Sequence, residues 1–564
     1  MSNKKRNIKV QALTEMGLML VLLILANLIF SVFFYRIDLT KEKRYSLSDA
    51  SKILAGKLDD VLYVKVYLRG EFPAGFKRLS QSTREMLDEF AAYAGGNLQY
   101  EFVDPFAEGD TKKQGDVVKE LVSKGLQPTN VQIKKDDEMA QKIIVPGALF
   151  YYKGKEFPVN FLKGQFGAAP EEVINSSIEL IEYEIANLLR KVTETSRKSI
   201  AFLDDHGELG RWDVADAQAE LEQYYEVKRI PLSSVPPLEL NKYVGVVIAK
   251  PTQPFSDFDK FKLDQYVMNG GKILWLLETQ VADMDSLQKA PMFVSSSYDL
   301  NLDDILFRYG IRVNPNIVQD IQCEMIPILS SVKSGTPQQK LLPWLFFPVA
   351  SPASDHPVVK NIDPVWFQFA ASIDTTSNKD IRKSVLLRSS PYARLMGAPV
   401  RVDLNMARVR PDPDEFSRGS FPMAVLLEGK FKSIFQYRLG ATNDPDLPFK
   451  ESIEHNKMIV VSDGDVIRNQ RKMSTGEIFP LGYNRFTNQQ YGNKRFILNC
   501  LDYLCDESGI LEIRGKEITL RLLNKAKIKK EKLKWQLINT LLPLVLVVVF
   551  GIVNQAIRRR KYTR

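Results

Sequence analysis

The sequence is poor in cysteine and histidine and lacks the motifs of common nucleotide-binding and hydrolytic enzymes. Its 564 residues include three cysteines, Cys323, Cys500 and Cys505, which excludes a disulfide framework and a four-cysteine metal site. No Gly-Lys pair is followed by the Ser or Thr of a P-loop, so any nucleotide chemistry is expected in a partner. No Gly-x-Ser-x-Gly or Gly-x-Cys-x-Gly elbow occurs. We predict a protein that is not an enzyme and has no metal or cofactor.

The composition is otherwise that of a globular chain, with 45% hydrophobic and 26% charged residues. The net charge of +9 is concentrated near the two ends of the chain. No basic and aromatic stripe accompanies it, so we interpret it as attraction to membrane lipids rather than to nucleic acid.

An uncharged apolar run from Met16 to Phe34 predicts an N-terminal transmembrane helix. About 19 residues at about 1.5 Å each nearly span a hydrocarbon core of about 30 Å. Arg36 and Asp38 follow instead of a small-residue cleavage site, which indicates a retained signal anchor.

A second apolar run, Leu537 to Val553, follows Trp535 and precedes a cluster of arginines and lysine at 558–561. The alternative is a buried core helix. Two spans put both termini on one side, and the basic residues at both ends favour the cytoplasm. Six lysines between 525 and 534 lie on the other side, so local charge alone leaves the orientation open.

Hydrophobic periodicity between residues 61 and 190 predicts the order βαβαββα, typical of a thioredoxin-like domain. The predicted elements include a single strand IIVPGALFYY, a hairpin across Lys153-Gly154 and a long helix from Pro170. The region contains no cysteine, so thiol redox chemistry is excluded there.

From Ser199 onward, short apolar runs alternate with amphipathic helices, which indicates a parallel α/β sheet. The pattern lapses at about Val281, resumes after Asn456 with MIVVSDGD, and ends in a helix and a strand-like LEIRG.

The predicted fold class is therefore α/β, with terminal transmembrane helices flanking two α/β domains. The boundaries are 1–15 cytoplasmic tail, 16–35 first transmembrane helix, 36–60 juxtamembrane segment, 61–195 thioredoxin-like domain, 196–280 first part of the second α/β domain, 281–456 insertion or β-rich subdomain, 457–515 second part of that domain, 516–535 basic juxtamembrane segment, 536–554 second transmembrane helix, and 555–564 cytoplasmic basic tail.

Polar residues follow several strands of the predicted parallel sheet, and ligands of open α/β sheets bind at that edge. A catalytic interpretation uses His206 as a base with Glu208 or Asp204, and a metal interpretation uses His206 with Asp463 or Asp465. A ligand or partner site is a third interpretation, and simple loop capping is a fourth. The candidate residues are Asp204, Asp205, His206, Gly207, Glu208, Lys250, Glu278, Asp463 and Asp465.

Five segments in fixed order carry a family resemblance: RIDLTKEKRYSLS after the first apolar run, FLDDHGE, DQYVMNGGKILWLLE, VVSDGD and NKRFILNCLDYL. Over essentially its whole length the chain resembles the GldG family, gliding motility-associated auxiliary components of ABC transporters. The resemblance implies a bacterial inner-membrane location, a periplasmic soluble region, and a permease subunit and cytoplasmic ATPase as partners. A homodimer within the complex is a further expectation. Arg36, Asp38, Arg44 and Tyr45 would then couple the juxtamembrane segment to the permease.

The resemblance also implies that the second domain has a class I glutamine amidotransferase-like, flavodoxin-like fold. Without the cysteine elbow, glutaminase activity does not carry over. The family loop usually reads Gly-His-Gly-Glu, whereas Asp205 precedes His206 here. Two alternative functions remain: a periplasmic glycan-binding or hydrolytic domain centred on His206 and Glu208, and a structural link from the inner membrane to the envelope.

Overall fold

The computed structural model describes residues 14, 16–25, 27, 46–107, 111–135, 138–163, 169–194, 197–333, 336–417, 419–437, 449–472, 474–506, 509–513 and 525–562. Near the N-terminus it contains a short apolar helix, α1, at Met16–Leu25. The rest of the predicted first span lies mostly outside the described residues, as do Arg36, Asp38, Arg44 and Tyr45. The N-terminal anchor and the juxtamembrane coupling residues therefore stay predictions.

The N-terminal part of the soluble region is a small mixed sheet covered by helices. In the sheet, β1 lies parallel to β2 and antiparallel to β5, which pairs with β6. In chain order, β1-α3-β2-α4-β5-β6-α5 matches the predicted order βαβαββα, and the β3-β4 hairpin is inserted after α4. The elements are α2 Asp49–Gly56, β1 Leu62–Val66, α3 Ala74–Tyr93, β2 Leu98–Phe102, α4 Thr111–Ser123, β3 Thr129–Lys135, β4 Glu138–Ile144, β5 Gly147–Tyr152, β6 Lys155–Asn160 and α5 Pro170–Thr193.

Local sequence explains several boundaries in this part. Lys153 and Gly154 both have positive φ, 47° and 75°, and form the tight turn of the predicted β5-β6 hairpin, which is confirmed. Pro170 begins α5, where a missing N–H costs nothing. The prediction of IIVPGALFYY as one strand is wrong. Pro146 separates β4, which pairs with β3, from β5, because proline cannot donate to a ladder.

The following part of the chain alternates strands and helices, as predicted. Its elements are β7 Ser199–Leu203, α6 Ala215–Leu221, β8 Glu226–Ile230, β9 Tyr243–Ala249, α7 Asp257–Met268 and β10 Lys272–Leu276, with short 3-10 helices at Leu232–Ser234 and Pro237–Lys242.

The next part is rich in strands. Its elements are β11 Gln280–Val281, α8 Met284–Lys289, β12 Met292–Val294, β13 Ser296–Ser297, α9 Asp303–Tyr309, β14 Ile311–Val313, β15 Asn316–Asp320, β16 Cys323–Lys333, β17 Thr336–Pro352, β18 Val365–Trp366, β19 Ile373–Thr375, β20 Ile381–Arg388, β21 Ala393–Gly397, β22 Arg401–Asp403 and β23 Pro422–Lys432, with 3-10 helices at Leu404–Arg408 and Pro413–Phe416.

The remaining elements are β24 Ser452–Val461, β25 Tyr483–Asn484, β26 Gln489–Gln490, α10 Asn493–Cys505, α11 Ile510–Ile513 and α12 Lys525–Tyr562, with a 3-10 helix at Asp465–Ile467. The prediction of LEIRG as a strand is wrong, because its described residues belong to α11. α11 is a separate four-residue helix that follows α10 in the chain.

One ten-stranded sheet organises the second α/β region. Its parallel half has the order β8-β7-β9-β10-β24. In chain order this is the doubly wound arrangement found in flavodoxin-like folds. The amidotransferase-like assignment itself stays a prediction. Beyond β24 the sheet continues antiparallel through β23, β20, β17 and β16. Strands from the region predicted as an insertion thus extend the main sheet.

The central parallel strand β10 is buried on both faces, as is usual for a parallel sheet covered by helices. Along β10, Leu274 and Leu276 belong to one core cluster, which also holds Phe496 and Leu501 of α10. Ile273 and Trp275 point to the opposite cluster, with side chains from α7 and α9. The carboxyl ends of the strands are therefore held rigidly between two packed layers.

The C-terminal unit, residues 517–564, contains α12 of 38 residues. Within it, Lys530–Ile557 is the one helix of the described residues that is long and apolar enough to cross a membrane. Its apolar side chains are exposed along the span, from Leu537 to Ile557. Pro543 lies inside the helix, as membrane helices tolerate.

Candidate functional site at the carboxyl edge of the parallel sheet

Most of the candidate residues follow strands of the parallel half of the sheet. The loop Asp204–Glu208 follows β7, Lys250 follows β9, Glu278 comes two residues after β10, and Asp463 comes two residues after β24. Parallel strands end at the same edge, so the predicted location of these residues agrees with the structure. The side chains form two groups, which we call the Lys250 cluster and the His206 loop.

The Lys250 cluster consists of Lys250, Glu278, Asp463 and Asp465, all buried. The Lys250 ammonium lies 2.7 Å from Glu278 Oε2 and 2.6 Å from Asp465 Oδ2. Lys250 itself has a positive φ of 55°. Gly464 passes so close that an added Cβ would lie 2.4 Å from Lys250 Cβ. The backbone is thus shaped to bring the ammonium between the carboxylates.

Asp463 completes this cluster through the backbone. Its Oδ1 accepts a hydrogen bond from the Asp465 N–H at 2.6 Å, and its Oδ2 accepts one from the Gln368 N–H at 2.7 Å. Burial, together with the charge of Asp465, raises the pKa of Asp463 to about 8. Burial also raises the pKa of Glu278 well above its ordinary value, although Lys250 opposes this. Burial is the main cause of both shifts, and the Lys250 ammonium acts against them.

The His206 loop consists of Asp205, His206, Gly207 and Glu208. His206 is 5% exposed and stacks on Phe255, with ring centroids 3.9 Å apart. Its Nδ1 lies 2.9 Å from Asp205 Oδ1 and 3.7 Å from Glu208 Oε1. Its Nε2 faces Asp259 Oδ2 at 3.5 Å. The imidazole is therefore surrounded by three carboxyl groups.

The same loop is fastened by its backbone to the loop after β9. The His206 carbonyl accepts hydrogen bonds from the N–H groups of Thr252 and Gln253, each at 2.9 Å. Gly207 has φ of +73°, and a Cβ there would lie 2.1 Å from Thr252 Oγ1. Only glycine fits this close approach without displacing the neighbouring loop.

The two carboxyl groups of the loop differ in their pKa. Burial opposes ionisation of Asp205, but the hydrogen bond from the Ser233 N–H and the nearby His206 outweigh it and lower its pKa. Burial raises the pKa of Glu208 despite the hydrogen bond from the His206 N–H.

Asp204 belongs to neither group. It forms a two-pronged ion pair with Arg229, with distances of 3.0 and 2.7 Å. Arg229 also donates to the Leu209 carbonyl at 2.7 Å. A pairing of His206 with Asp204 is therefore not found, and neither is the predicted metal set of His206 with Asp463 or Asp465. Those two aspartates belong to the Lys250 cluster.

A cavity of about 430 Å³ opens beside Asp465, which lies in its wall. Arg468, also in the wall, lies 3.3 Å from Asp465 Oδ1. Trp366 lines the cavity, and its buried Nε1 has no hydrogen-bond partner among the described residues. We call this cavity the cleft. Its other lining residues combine both charges with apolar groups: Asp213, Asp283, Met284, Asp285, Leu287, Met325, Ile326, Pro327, Phe347, Gln368, Phe369, Leu404, Asn469, Gln470, Arg471, Asn484, Arg485 and Phe486.

Sequence reasoning found one residue of the cleft, Asp465, and missed the others. They come from loops and from α8, β16, β17, β18 and β25, spread between residues 213 and 486, and they share no motif. The only signal was indirect: these segments surround the turn after β24, at the edge where ligands bind in open α/β sheets.

Part of the chain matches a protein family, and nearly the whole chain resembles a bacterial protein. A family described as domain of unknown function DUF7088 matches residues 41–151. An uncharacterized protein of Borreliella burgdorferi is 20% identical over 97% of both chains.

Two solved structures align at low similarity. The mmIFT52 N-terminal domain gives a TM-score of 0.31 at 14% identity, covering 54% of this chain and 96% of that chain. A ThuA-like protein from Bacteroides uniformis gives 0.26 at 12% identity, covering 55% and 93%.

The decisive match covers the second α/β region. The family described as ABC-type uncharacterized transport system, an auxiliary-component family, matches residues 197–500, from the start of β7 into α10. This is more than half of the 564 residues. The chain belongs to the ABC-type uncharacterized transport system family.

Proposed function

We propose that the protein is a non-catalytic auxiliary subunit of an ABC transporter, anchored in the bacterial inner membrane and binding a ligand or partner outside it. The observation that carries the proposal is α12. A family of transport-system components supplies the context, and α12 contains a candidate membrane span, Lys530–Ile557, followed by basic residues. Such a helix suits anchoring beside a permease.

The proposal includes the finer features implied by the family resemblance. Both termini face the cytoplasm, the region between the anchors is periplasmic, and the complex serves gliding motility. The partners are a permease subunit and a cytoplasmic ATPase. The ATPase is a separate subunit because this sequence lacks a P-loop. Two copies in one transporter would form a homodimer.

The cleft is the proposed binding site of the periplasmic region. It combines Trp366 and other aromatic rings with guanidinium and carboxylate groups. Aromatic faces pack against the apolar faces of sugars, and paired charged groups hydrogen-bond hydroxyls, so the lining favours a glycan or another neutral polar ligand. In this proposal the cleft, rather than His206 and Glu208, is the site of the glycan-binding alternative.

The membrane-complex proposal is tested by purifying the full-length protein in mild detergent from its native membrane. We expect a permease and an ATPase in stoichiometric amounts. Deleting Leu537–Arg564 should abolish their recovery while the soluble region remains folded by circular dichroism. In a matched control, an unrelated apolar helix replaces Leu537–Val553, which separates membrane anchoring from specific helix contacts.

The outcomes discriminate clearly. Recovery of both partners with the deleted chain would contradict anchoring through α12. Recovery with the exchanged helix, but not with the deletion, would leave anchoring as the role of α12 and assign partner recognition to other regions. Absence of any permease from the wild-type preparation would overturn the proposal as a whole.

The cleft is tested separately with a glycan panel. Trp366→Phe keeps the aromatic ring but removes the indole N–H, so it should weaken binding without unfolding the chain. Tyr437→Phe, at an exposed residue outside the cleft, is the control. No glycan binding by the wild-type protein would remove this candidate and leave a protein partner.

A further inference from the structure

Three buried polar atoms in the His206 loop have no hydrogen-bond partner among the described residues: Asp205 Oδ1, His206 Nδ1 and Glu208 Oε1. Asp205 Oδ1 and Glu208 Oε1 lie 2.9 and 3.7 Å from His206 Nδ1, and one atom of each side chain lies within 4.8 Å of the other two. The Glu208 side chain is 0% exposed and that of His206 6%. An unsatisfied buried polar group costs about 1–3 kcal/mol, so three such atoms around one point indicate a missing occupant.

The other atom of each side chain is already engaged, which fixes its orientation. Asp205 Oδ2 accepts from the Ser233 N–H at 2.6 Å, and Glu208 Oε2 accepts from the His206 N–H at 2.7 Å. His206 Nε2 faces Asp259 Oδ2 at 3.5 Å. Histidines that bind metals usually direct their second ring nitrogen at a carboxylate or carbonyl, which leaves the first nitrogen free to bind.

The spacing of the three atoms suits a cation. Ligand bonds of about 2.1 Å place neighbouring ligand atoms about 3.0–3.4 Å apart in octahedral or tetrahedral geometry. The observed separations from His206 Nδ1, 2.9 and 3.7 Å, lie on either side of these values. In the described part of the chain, no lysine or arginine pairs with Asp205 or Glu208, in contrast to the ammonium in the Lys250 cluster.

We propose that Asp205 Oδ1, His206 Nδ1 and Glu208 Oε1 bind a divalent cation of the zinc or manganese class. One imidazole nitrogen with two carboxylate oxygens is a mixed donor set that suits these ions better than calcium. The cation is structural. It joins three residues of the loop after β7, whose His206 carbonyl accepts hydrogen bonds from the loop after β9. This inference does not depend on the transporter assignment.

The test uses the full-length protein in detergent, stripped with EDTA and titrated with zinc chloride or manganese chloride. Calorimetry and elemental analysis should give one ion per chain, and the ion should raise the thermal unfolding midpoint. Glu208→Gln should weaken binding at least about tenfold. His455→Ala removes an exposed histidine of β24 and should leave binding unchanged.

A second measurement avoids dependence on the folding of a variant. The wild-type protein loaded with manganese should show coupling to one imidazole nitrogen by electron paramagnetic resonance. Absence of stoichiometric binding would overturn the proposal. So would a bound ion without nitrogen coupling, or binding that Glu208→Gln leaves intact and His455→Ala abolishes.

Discussion

The Lys250 cluster and the His206 loop lie at the same edge of one sheet, and each buries carboxyl groups, yet they are neutralised differently. In the Lys250 cluster, one ammonium contacts two carboxylates at 2.6 and 2.7 Å. In the His206 loop, the only basic group that pairs with Asp205 and Glu208 in the described structure is an imidazole. Buried atoms without a hydrogen-bond partner occur in both groups, at both carboxyl oxygens of Glu278 and at three atoms of the His206 loop. One group supplies its own cation, and the other has a place for one.

The difference teaches how buried charge is used. A buried charge is costly unless it is paired. The fixed charge of Lys250 makes its cluster a permanent part of the fold, close to the wall of the cleft. In the described structure no lysine or arginine pairs with the carboxyl groups of the His206 loop, so the loop can accept an added cation.

The largest expected effect comes from removing the fixed cation. Lys250→Met leaves Glu278 buried without its ion-pair partner and Asp465 paired only with Arg468, and breaking a buried pair costs about 3–5 kcal/mol. The thermal unfolding midpoint of the full chain in detergent should fall accordingly. In the control, Lys228→Met removes an exposed pair with Glu226 and should change the unfolding midpoint little. Equal losses in the two variants would show that the Lys250 cluster is not a structural ion pair.

A smaller loss is expected when the lysine is displaced rather than removed. Gly464→Ala places a Cβ 2.4 Å from Lys250 Cβ, and overpacking of this kind costs about 1–3 kcal/mol. Gly397→Ala is the matched control, since nothing lies within 4 Å of its Cβ position. Thermal unfolding measures both variants. A Gly464→Ala protein as stable as the control would mean that the backbone near Lys250 can move freely.

The same two groups separate what the sequence could predict from what it could not. Apolar runs followed by polar residues located the strand ends, because parallel strands finish at a common edge. The partner of each side chain was not predictable. Asp204 pairs with Arg229 of β8, and Asp259, which faces His206, comes from α7. These contacts depend on how far each side chain reaches in the folded structure.

The predictions from hydrophobic periodicity were wrong or incomplete where pairing between strands decided the structure. Pro146 divides an apolar run that reads as one strand, because β4 pairs with β3 instead of continuing into β5. The region of residues 281–456 lacks a regular period, yet β20 and β23 extend the main sheet. Antiparallel strands added beyond β24 have no sequence signal that distinguishes them from a separate subdomain. The cleft was missed for the same reason, since much of its lining comes from α8, β16, β17 and β18 of this region.

The smallest expected effect is the contribution of the Glu208 side chain to the free energy of unfolding, whose sign should depend on pH and on bound zinc. Burial raises its pKa above the ordinary 4.5, so its stabilising contribution is complete below that value and is lost as pH rises through the folded pKa. In the presence of a chelator, the wild-type protein should therefore lose about 1 kcal/mol of stability relative to Glu208→Gln when the pH is raised from 4 to neutral or higher. Adding zinc should reverse the order, because only the wild-type carboxylate binds the ion. Unfolding midpoints across pH, with chelator and with zinc, measure both signs. If the two proteins kept the same order in both conditions, the contrast between the His206 loop and the Lys250 cluster would reduce to hydrogen bonding alone.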